Sequence, residues 1–364
     1  MEGAKDIGGI SITFAAGVAA GTFVISAFHS LTACYVTGET VLVTCLVAML
    51  LLHYGEYRSW WLAALIFFLS GMTVASISGI SAAGMADTGS GLSMKAAGWA
   101  TSLKNVIDGL PFKDERTSAL LKALLTGDRS GLDQDIVRNF RTSGASHILA
   151  LSGLHLGIIY IFIRRILTVL GNTPGAKIAR SLATVSISGA YTLATGASPS
   201  LVRAFLFILL NESAHILHRD SHPERVLCAS LTLQLAINPG NITSPGFQLS
   251  YLAMGGIMFL FPVLKSWFTA DGGFSPMKKI WDAAALAISC QIFTAPAAWY
   301  HFRTFPMNFL ITNLLALPVT SFLMTLAVPS VLLACLGVCP GFLVTATEFL
   351  SQALMFIVEV IAGM

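Results

Sequence analysis

Charged residues are scarce in this chain. Asp, Glu, Lys and Arg make up only 11% of its 364 residues, whereas a soluble domain carries about a quarter. Hydrophobic residues make up 55%, and the mean hydropathy is +0.76. So few charges cannot cover a surface that faces water, and the composition therefore excludes a soluble globular protein. The net charge of +3 is too small to predict, by itself, a partner with many negative charges.

Motifs for metal or nucleotide chemistry are also missing from the sequence. It contains no glycine-rich phosphate loop, no HExxH sequence and no paired acidic metal motif. The six cysteines form no CxxC pair and lie in apolar runs, which is typical of small buried hydrophobic residues. We therefore predict no metal, no cofactor and no catalytic residue, and we do not expect an enzyme.

Long apolar runs are the most frequent feature of the chain. A run of about 20 apolar residues matches the thickness of a bilayer, and a backbone in lipid must pair its polar groups within a helix. The stretch 305–337 is broken by prolines and is either one kinked span or two short ones. We predict an all-α fold, a polytopic membrane bundle of about 10–12 transmembrane or re-entrant helices with short extracytoplasmic amphipathic helices. The apolar runs are 10–30, 32–53, 60–80, 147–163, 181–197, 200–217, 226–237, 247–264, 283–302 and 341–362.

The apolar runs divide the chain into three blocks. Residues 1–80 hold three predicted spans, residues 81–146 hold none, and residues 147–364 hold the remaining helices. In the middle block, a Gly/Ser-rich connection precedes three short helices, of which the second opens at Asp114 and closes at Gly127. We expect these helices to lie on the outer membrane face or to cap the bundle.

The distribution of basic residues predicts the orientation of the chain. If the N-terminus is cytoplasmic, the Lys and Arg residues of the short loops fall almost entirely inside, with Arg303 as the exception. We therefore predict a cytoplasmic N-terminus and an extracytoplasmic position for residues 81–146. The residues placed inside are Lys5, Arg58, Arg164, Arg165, Lys177, Arg180, Arg219, Arg225, Lys265, Lys278 and Lys279.

The richest cluster of polar residues in an apolar run spans residues 143–157. Polar groups are costly in membrane helices, so they usually mark a pathway or a site. On a continuous helix Ser152 and His155 would share one face, and His147 would lie two turns away. Helix packing through small residues is the competing explanation, but packing does not require two histidines.

A second cluster, residues 195–204, carries Arg203 into a membrane helix soon after Pro199. Glu212 lies on the opposite face of the same helix and cannot pair with this arginine within the helix. Three explanations stay open for Arg203. It contacts an anion in a cavity, it snorkels to the membrane surface, or it pairs across helices with Glu212 or Glu348.

Two further clusters combine helix breakers with polar side chains. Proline and glycine residues precede Gln248, Ser250 and Tyr251, and Asn313 follows Pro306 in the proline-rich stretch. Amides and kinks at membrane depth indicate interrupted helices that line a cavity.

These clusters carry a resemblance to a known family. The sequence resembles the membrane competence domain of the ComEC family, the channel proteins of bacterial natural transformation. The matching segments follow the family's order, and the stretch from His147 to His155 is the most specific of them. The segments are 124–130, 140–141, 144, 147–155, 196–200, 203–204, 238–239, 246–250, 313 and 318.

The resemblance implies a membrane channel that passes single-stranded DNA across the bacterial cytoplasmic (inner) membrane during natural transformation. A strand with one charge per nucleotide needs a wet, polar and preferably positive wall with flat groups for stacking. The implied partners are single-stranded DNA, the lipid bilayer, and a separate nuclease, DNA-binding protein and ATP-driven motor, and the protein could form a homo-oligomer. The residues available for the pore wall or for DNA contact are Asp128, Arg141, His147, Ser152, His155, Arg203, Gln248, Ser250 and Asn313.

Two modules of full-length family members are not expected in this sequence. The connection 81–95 is too short for the oligonucleotide-binding domain of the family, and no HxHxDH signature of its nuclease domain is present. We therefore expect a reduced member or a fragment that holds only the channel core.

Two other functions stay open. In an intramembrane serine hydrolase, Ser152 would be the nucleophile and His155 or His301 the base, although the sequence indicates no oxyanion donors. A small-molecule transporter with broken helices would differ from the channel mainly in pore width.

Overall fold

The computed structural model describes residues 11–23, 65–75, 91–171, 173–217, 222–268, 276–303 and 308–364. All regular secondary structure in these ranges is helical, which confirms the predicted all-α class. The predicted span 32–53 and residues 81–90 of the predicted connection lie outside the described residues. The helices, numbered in chain order, are α1 Ser11–Phe23, α2 Leu65–Ala75, α3 Gly91–Asp108, α4 Glu115–Thr126, α5 Gln134–Thr142, α6 Ser146–Leu149, α7 Gly153–Ile166, α8 Pro174–Ala194, α9 Pro199–Ile216, α10 Pro223–Ile237, α11 Pro245–Gly255, α12 Phe261–Ser266, α13 Pro276–Phe302, α14 Phe309–Cys335 and α15 Gly341–Ala362.

Five helical segments of the described chain are long and apolar enough to cross a membrane. One of them joins α11 to α12 through a π-helical turn at Gly256–Leu260. These segments confirm a multi-pass helical membrane protein, while the total number of spans stays a prediction. The five segments are Gly153–Leu170, Pro245–Ser266, Pro276–Phe302, Phe309–Cys335 and Gly341–Ala362.

The proline-rich stretch forms one helix over its described part. Helix α14 continues through Pro318 and Pro329. Membrane helices tolerate such prolines because neighbouring helices and side chains satisfy the freed backbone groups. Two short spans are therefore excluded for residues 309–335.

Contacts divide the chain into two compact units. The first unit comprises residues 1–90 and 206–248, and the second comprises residues 91–205 and 249–364. The two units are described separately below.

In the first unit, α1 and α2 cross at glycines. A Cβ atom at Gly17 would overlap the carbonyl oxygen of Phe68, and one at Gly71 would overlap the carbonyl oxygen of Phe14. Only a hydrogen atom fits at either position. The two backbones are therefore in direct contact, which is the usual role of small residues in membrane helix pairs.

The core of the second unit joins the short helices of the middle block to α14 and α15. Leu120 and Leu124 of α4 and Phe140 of α5 are fully buried, in the same apolar cluster as Leu323 of α14 and Leu354 of α15. The sequence predicts that the short helices lie on an outer face or cap the bundle. Helix α4 packs one face into the core of this unit, and its position relative to the membrane stays a prediction.

Local signals define both ends of α4. At its start, a side-chain oxygen of Asp114 accepts a hydrogen bond of 3.0 Å from the backbone N–H of Arg116. At its end, Gly127 adopts a left-handed conformation with φ 78°, and its N–H donates to the carbonyl of Ala123 at 3.0 Å. Both ends agree with the sequence prediction, because a capping carboxylate and a C-terminal glycine are recognisable locally.

Hydrogen bonds between elements establish the helix directions in the second unit. Thr312 Oγ1, at the start of α14, donates to the carbonyl of Ser143 just after α5, at 2.6 Å. Asn308 Nδ2 donates to the carbonyl of Ile361, at the end of α15, at 3.1 Å. Helix α7 begins ten residues after Ser143, with the short helix α6 between them. We call this end of the unit, where α7 and α14 begin and α5 and α15 end, the polar end.

The opposite end of the second unit carries basic residues. Arg164 and Arg165 lie in the last turn of α7, and Lys177 and Arg180 lie in the first two turns of α8. Because α7 starts at the polar end, its last turn lies at the far side of the unit. We call this side the basic end.

Candidate functional site

The polar cluster at 143–157 is not one helix. Helix α6 stops at Leu149, and the chain is then extended at Ala150, with φ −80° and ψ 132°. Ser152 is extended as well, with φ −121° and ψ 169°, and α7 begins at Gly153. The prediction of a continuous span over 147–163 is therefore wrong at residues 150–152, which we call the break.

Ser152 and His155 form a capping box at the start of α7. Ser152 Oγ accepts from the backbone N–H of His155, and the Ser152 backbone N–H donates to His155 Nδ1 at 3.2 Å. Ser152 Oγ also lies 3.0 Å from Nδ1. Because Nδ1 accepts a backbone hydrogen bond, the ring proton lies on Nε2. His155 is only 1% exposed, and its Nε2 has no hydrogen-bond partner among the described residues.

The start of α9 packs on the break. Ser200 Oγ donates to the carbonyl of Leu151 at 2.9 Å. A Cβ atom at Gly153 would lie 3.4 Å from Ala204 Cβ and 3.6 Å from Arg203 Nη2. The structure therefore brings the second predicted cluster against the first, with the guanidinium of Arg203 beside the first residue of α7.

Arg203 is held by two residues of α11. Its Nε donates to Ser250 Oγ at 2.5 Å, and its guanidinium carbon lies 5.9 Å from the centre of the Tyr251 ring. No carboxylate lies within ion-pair distance of Arg203 in the described part of the chain. Arg203 is therefore a half-buried cation whose two Nη groups face no negative side chain described in the structure.

Glu348 is not the partner of Arg203. Its Oε1 accepts hydrogen bonds from the backbone N–H groups of Lys113, at 2.9 Å, and Asp114, at 3.0 Å. This contact joins α15 to the start of α4. Of the explanations left open by the sequence, pairing of Arg203 with Glu348 is therefore excluded.

Asp128 lies in the turn after α4 and forms an ion pair. One oxygen lies 2.5 Å from Lys104 Nζ, and the other accepts from the backbone N–H of Ser130 at 3.0 Å. The bond to Lys104, followed by those to Ser130, holds the pKa of the Asp128 carboxyl well below its ordinary range. These contacts give Asp128 a structural role in the turn. Contact with DNA, which the sequence predicts for this residue, stays a prediction.

The turn that contains Asp128 also contacts Leu151 in the break and Leu149 just before it. Arg129 Nε donates to the carbonyl of Leu149 at 3.3 Å. A Cβ atom at Gly127 would lie 2.8 Å from Leu151 Cδ1, so the glycine packs directly on that side chain. The segment 126–130 thus helps to hold residues 149–151 in place.

The remaining predicted residues are dispersed. Arg141 and His147 are exposed, and His147 Nδ1 lies 3.2 Å from the carbonyl oxygen of Gly144. Asn313, next to the Thr312 contact, has a buried Oδ1 without a partner among the described atoms. Gln248 belongs to the first unit, where its Nε2 donates to the carbonyl of Ile242 at 2.7 Å.

Four of the predicted site residues, Ser152, His155, Arg203 and Ser250, lie around the break at the starts of α7, α9 and α11. We call them the break cluster. The sequence analysis did not select Arg129 or Ser200 as site residues, although both lie in the segments that carry the resemblance. Their role is to bond the carbonyls of Leu149 and Leu151, and only the folded structure shows such a contact.

The fold and these residues define the class of protein. It is a multi-pass helical membrane protein in which an interrupted helix meets a half-buried arginine. Residues 124–364 match the model of the family described as "Competence protein". This match covers more than half of the chain, so the chain belongs to the competence-protein family, and the resemblance to ComEC proteins is confirmed.

Two curated relatives are similar to part of the chain. "ComE operon protein 3" of Bacillus subtilis (strain 168) is 26% identical over 206 residues, which is 57% of this chain and 25% of the relative. An "Uncharacterized protein" of Aquifex aeolicus (strain VF5) is 28% identical over 209 residues, which is 56% of this chain and 45% of the relative. The matches thus cover less than half of either relative. No solved structure matches the chain.

Proposed function

We propose that the second unit forms part of the wall of a channel through which a single strand of DNA crosses the bacterial cytoplasmic membrane during natural transformation. Membership of the competence-protein family supports a role in DNA uptake. The observation that carries the proposal is Arg203, a half-buried cation with no acidic partner in the described chain, beside a broken helix.

A phosphodiester would supply the negative charge that is missing from the described surroundings of Arg203. Burying a cation without a partner costs several kcal/mol, so a membrane protein rarely keeps one unless a ligand or water reaches it. The bond from Nε to Ser250 fixes the guanidinium plane and leaves both Nη groups for the ligand. A guanidinium binds two phosphate oxygens with parallel hydrogen bonds, which a neutral side chain cannot do.

The start of α7 adds to the attraction for an anion. The first backbone N–H groups of a helix have no partner within the helix, and they carry a partial positive charge. Gly153 stands at this position next to Arg203 and offers no side chain that would cover the backbone. The flat ring of Tyr251, which lies against the arginine, is a surface on which a base can stack.

The positions of the basic residues support an orientation for the second unit. Arg164, Arg165, Lys177 and Arg180 all lie at the basic end, which the positive-inside rule places in the cytoplasm. The polar end and the break would then face the outside, and the N-terminus would be cytoplasmic. Labelling of a cysteine at position 177 by an impermeant reagent added outside intact cells would contradict this orientation.

Directional movement of a polyanion also needs a source of free energy outside this site. We therefore include in the proposal a separate ATP-driven motor, a separate nuclease, a DNA-binding protein that presents the strand, and assembly into a homo-oligomer. Co-purification after cross-linking in competent cells tests these partners, and recovery of the protein alone from cells that actively take up DNA would count against them.

Substitution of Arg203 tests the proposed function. Arg203→Gln should lower transformation about a hundredfold or more, because loss of one member of a buried charge contact costs about 2–5 kcal/mol. Arg203→Lys should retain part of the activity, because it keeps the charge but loses the paired Nη geometry. The measurement is transformation frequency together with the amount of protein in the membrane.

Arg138→Gln is the matched control for this series. Arg138 is an exposed arginine of α5 that pairs with Asp135 at the surface. Its substitution should leave transformation within about threefold of wild type, as for most surface changes. Normal transformation by a stably inserted Arg203→Gln protein would show that Arg203 does not contact the strand.

A hydrolase is the second candidate, because Ser152 Oγ and His155 Nδ1 lie 3.0 Å apart. However, Nδ1 already accepts the backbone N–H of Ser152, so it is poorly placed to take the hydroxyl proton. We therefore expect no covalent reaction of Ser152 with a fluorophosphonate probe and only a partial loss of DNA uptake in Ser152→Ala. Labelling that disappears in Ser152→Ala would favour the hydrolase.

A further inference from the structure

Glu348 has a position that the proposed channel function does not explain. It is only 8% exposed and lies about two turns into α15, a segment long and apolar enough to span a membrane. An acidic residue at such a site is costly unless its oxygens are hydrogen-bonded. A single oxygen, Oε1, accepts from two consecutive backbone N–H groups, those of Lys113 and Asp114.

Those two N–H groups lie immediately before α4. Asp114 is the N-cap of that helix, and its side chain bonds back to the helix at Arg116. The side-chain oxygen of Glu348 therefore fixes the backbone immediately before α4 by accepting both N–H groups. The contact connects residues 235 and 234 positions apart in the sequence.

The other end of α4 reaches the break. Its C-terminal glycine, Gly127, packs against Leu151, and Arg129 bonds the carbonyl of Leu149. Tyr191 Oη, from α8, donates to the carbonyl of Leu125 in the last turn of α4 at 2.7 Å. Helix α4 is thus a rod of 12 residues with Glu348 bound at one end and the break bound at the other.

We infer that Glu348 is a positioning residue that, through α4, holds the break in the geometry in which Gly153 lies beside Arg203. Glu348 does not contact the DNA strand of the proposed function. Its role depends on where its acceptor oxygen, Oε1, lies and not on its charge. The functional part of this inference rests on the proposed DNA uptake, but the geometric part does not.

Two small substitutions of Glu348 test separately the position of its acceptor oxygen and its negative charge. Glu348→Gln keeps an acceptor oxygen at the same distance and removes the charge. Glu348→Asp keeps the charge and shortens the side chain by one methylene, so that its oxygens withdraw from the two N–H groups. Both changes are conservative in volume, which favours insertion and folding of both proteins.

The first measurement does not involve DNA. In a protein without its native cysteines, Ala150→Cys reports the accessibility of the break to a thiol reagent. We expect Glu348→Asp to raise the labelling rate of the cysteine at position 150 about tenfold. This is the effect of losing one hydrogen bond that opposes local opening of the break. We expect Glu348→Gln to leave the rate within about twofold of the parent. A cysteine at position 177, at the basic end, should label at an unchanged rate in both.

The second measurement is transformation frequency at equal amounts of membrane protein. Glu348→Gln should transform close to the wild-type level, whereas Glu348→Asp should lose about tenfold. If Glu348→Gln changes the labelling rate at position 150 as much as Glu348→Asp does, the inference is wrong, whether or not the protein carries DNA. If labelling behaves as expected and transformation does not follow, the positioning role stands and the proposed function of the break is wrong.

Discussion

Arg203 and Asp128 show how differently a charged side chain is accommodated in two parts of this protein. Asp128 lies in a turn and has a lysine and a backbone N–H as partners. Arg203 lies in the second turn of α9, and its partners in the described chain are a hydroxyl and an aromatic ring. An ion pair in a partly exposed turn contributes little and is screened by salt, whereas an uncompensated buried cation strongly favours an anionic ligand.

The ion pair of Asp128 predicts a dependence of stability on pH. Its pKa in the folded protein lies below the unfolded value of about 3.9. A lowered pKa gives stability that is present above the unfolded pKa and is lost as the pH falls through the folded pKa. Asp128→Asn should therefore reduce the unfolding free energy at pH 7, and the difference from wild type should shrink between about pH 5 and pH 2.

The size of this effect is limited by solvent. The side chains of Lys104 and Asp128 are 33% and 27% exposed, so we expect less than about 1 kcal/mol. Asp135→Asn is the matched control, because its pair with Arg138 is 71% to 80% exposed and should contribute nothing measurable. Denaturant unfolding in detergent at several pH values provides the comparison. A difference for Asp128→Asn that persists undiminished at pH 2 would contradict the assignment.

Among the helices, the elements with local signals are the ones that the sequence predicts correctly. The ends of α4 follow from Asp114 and Gly127, and α15 follows from its apolar run at 341–362. The break at 150–152 was not predicted, because the apolar pattern of 147–163 continues across it. Its causes lie elsewhere in the chain, in the hydrogen bonds from Arg129 and Ser200 to carbonyls that a continuous helix would have used.

The same is true of the candidate site: features visible locally in the sequence could be predicted, and contacts between distant segments could not. The residue types of the break cluster could be selected from the sequence, since a histidine and an arginine are unusual in apolar helices and the two serines lie in polar clusters of the sequence. Their mutual arrangement could not, because Arg203 meets Ser250 through the packing of α9 on α11. The contact of Glu348 could not be predicted either, because its partners are backbone N–H groups just before α4, more than 230 residues away in the sequence.

The contact between α4 and the break predicts the effect of Gly127→Ala. An alanine there would adopt a left-handed conformation, and its Cβ would lie 2.8 Å from Leu151 Cδ1. Gly337→Ala is the matched control, because Gly337 follows a helix C-terminus with a similar φ of 77° and has no atom within 4 Å of the added Cβ.

Both substitutions should cost about 1 kcal/mol of backbone strain, measured as a lower midpoint of thermal unfolding in detergent. Only Gly127→Ala should also displace Leu151, and we therefore expect it alone to reduce DNA uptake, by about tenfold. Equal uptake by the two variants at equal protein level would show that the turn at 126–130 does not support the break.

For the whole molecule, the arrangement of the second unit gives the proposed channel a direction. The break cluster lies at the starts of α7, α9 and α11, and the basic residues of α7 and α8 lie at the opposite end. A strand that entered at the polar end would meet Arg203 first and would then be drawn toward a positively charged cytoplasmic surface. Electrostatic attraction of this kind raises the local concentration of a polyanion and weakens with salt.

Photocrosslinking during DNA uptake decides whether a strand reaches this site. A photoreactive phenylalanine analogue is placed at Tyr251, which lies against Arg203, in competent cells that are given labelled DNA. The matched control places the same group at Phe349, which is 68% exposed on α15. We predict that irradiation links DNA to the protein at position 251 and not at position 349, and that the product is lost in the Arg203→Gln background. Continued DNA uptake without any crosslink at position 251, or equal crosslinking at both positions, would contradict the proposed path of the strand.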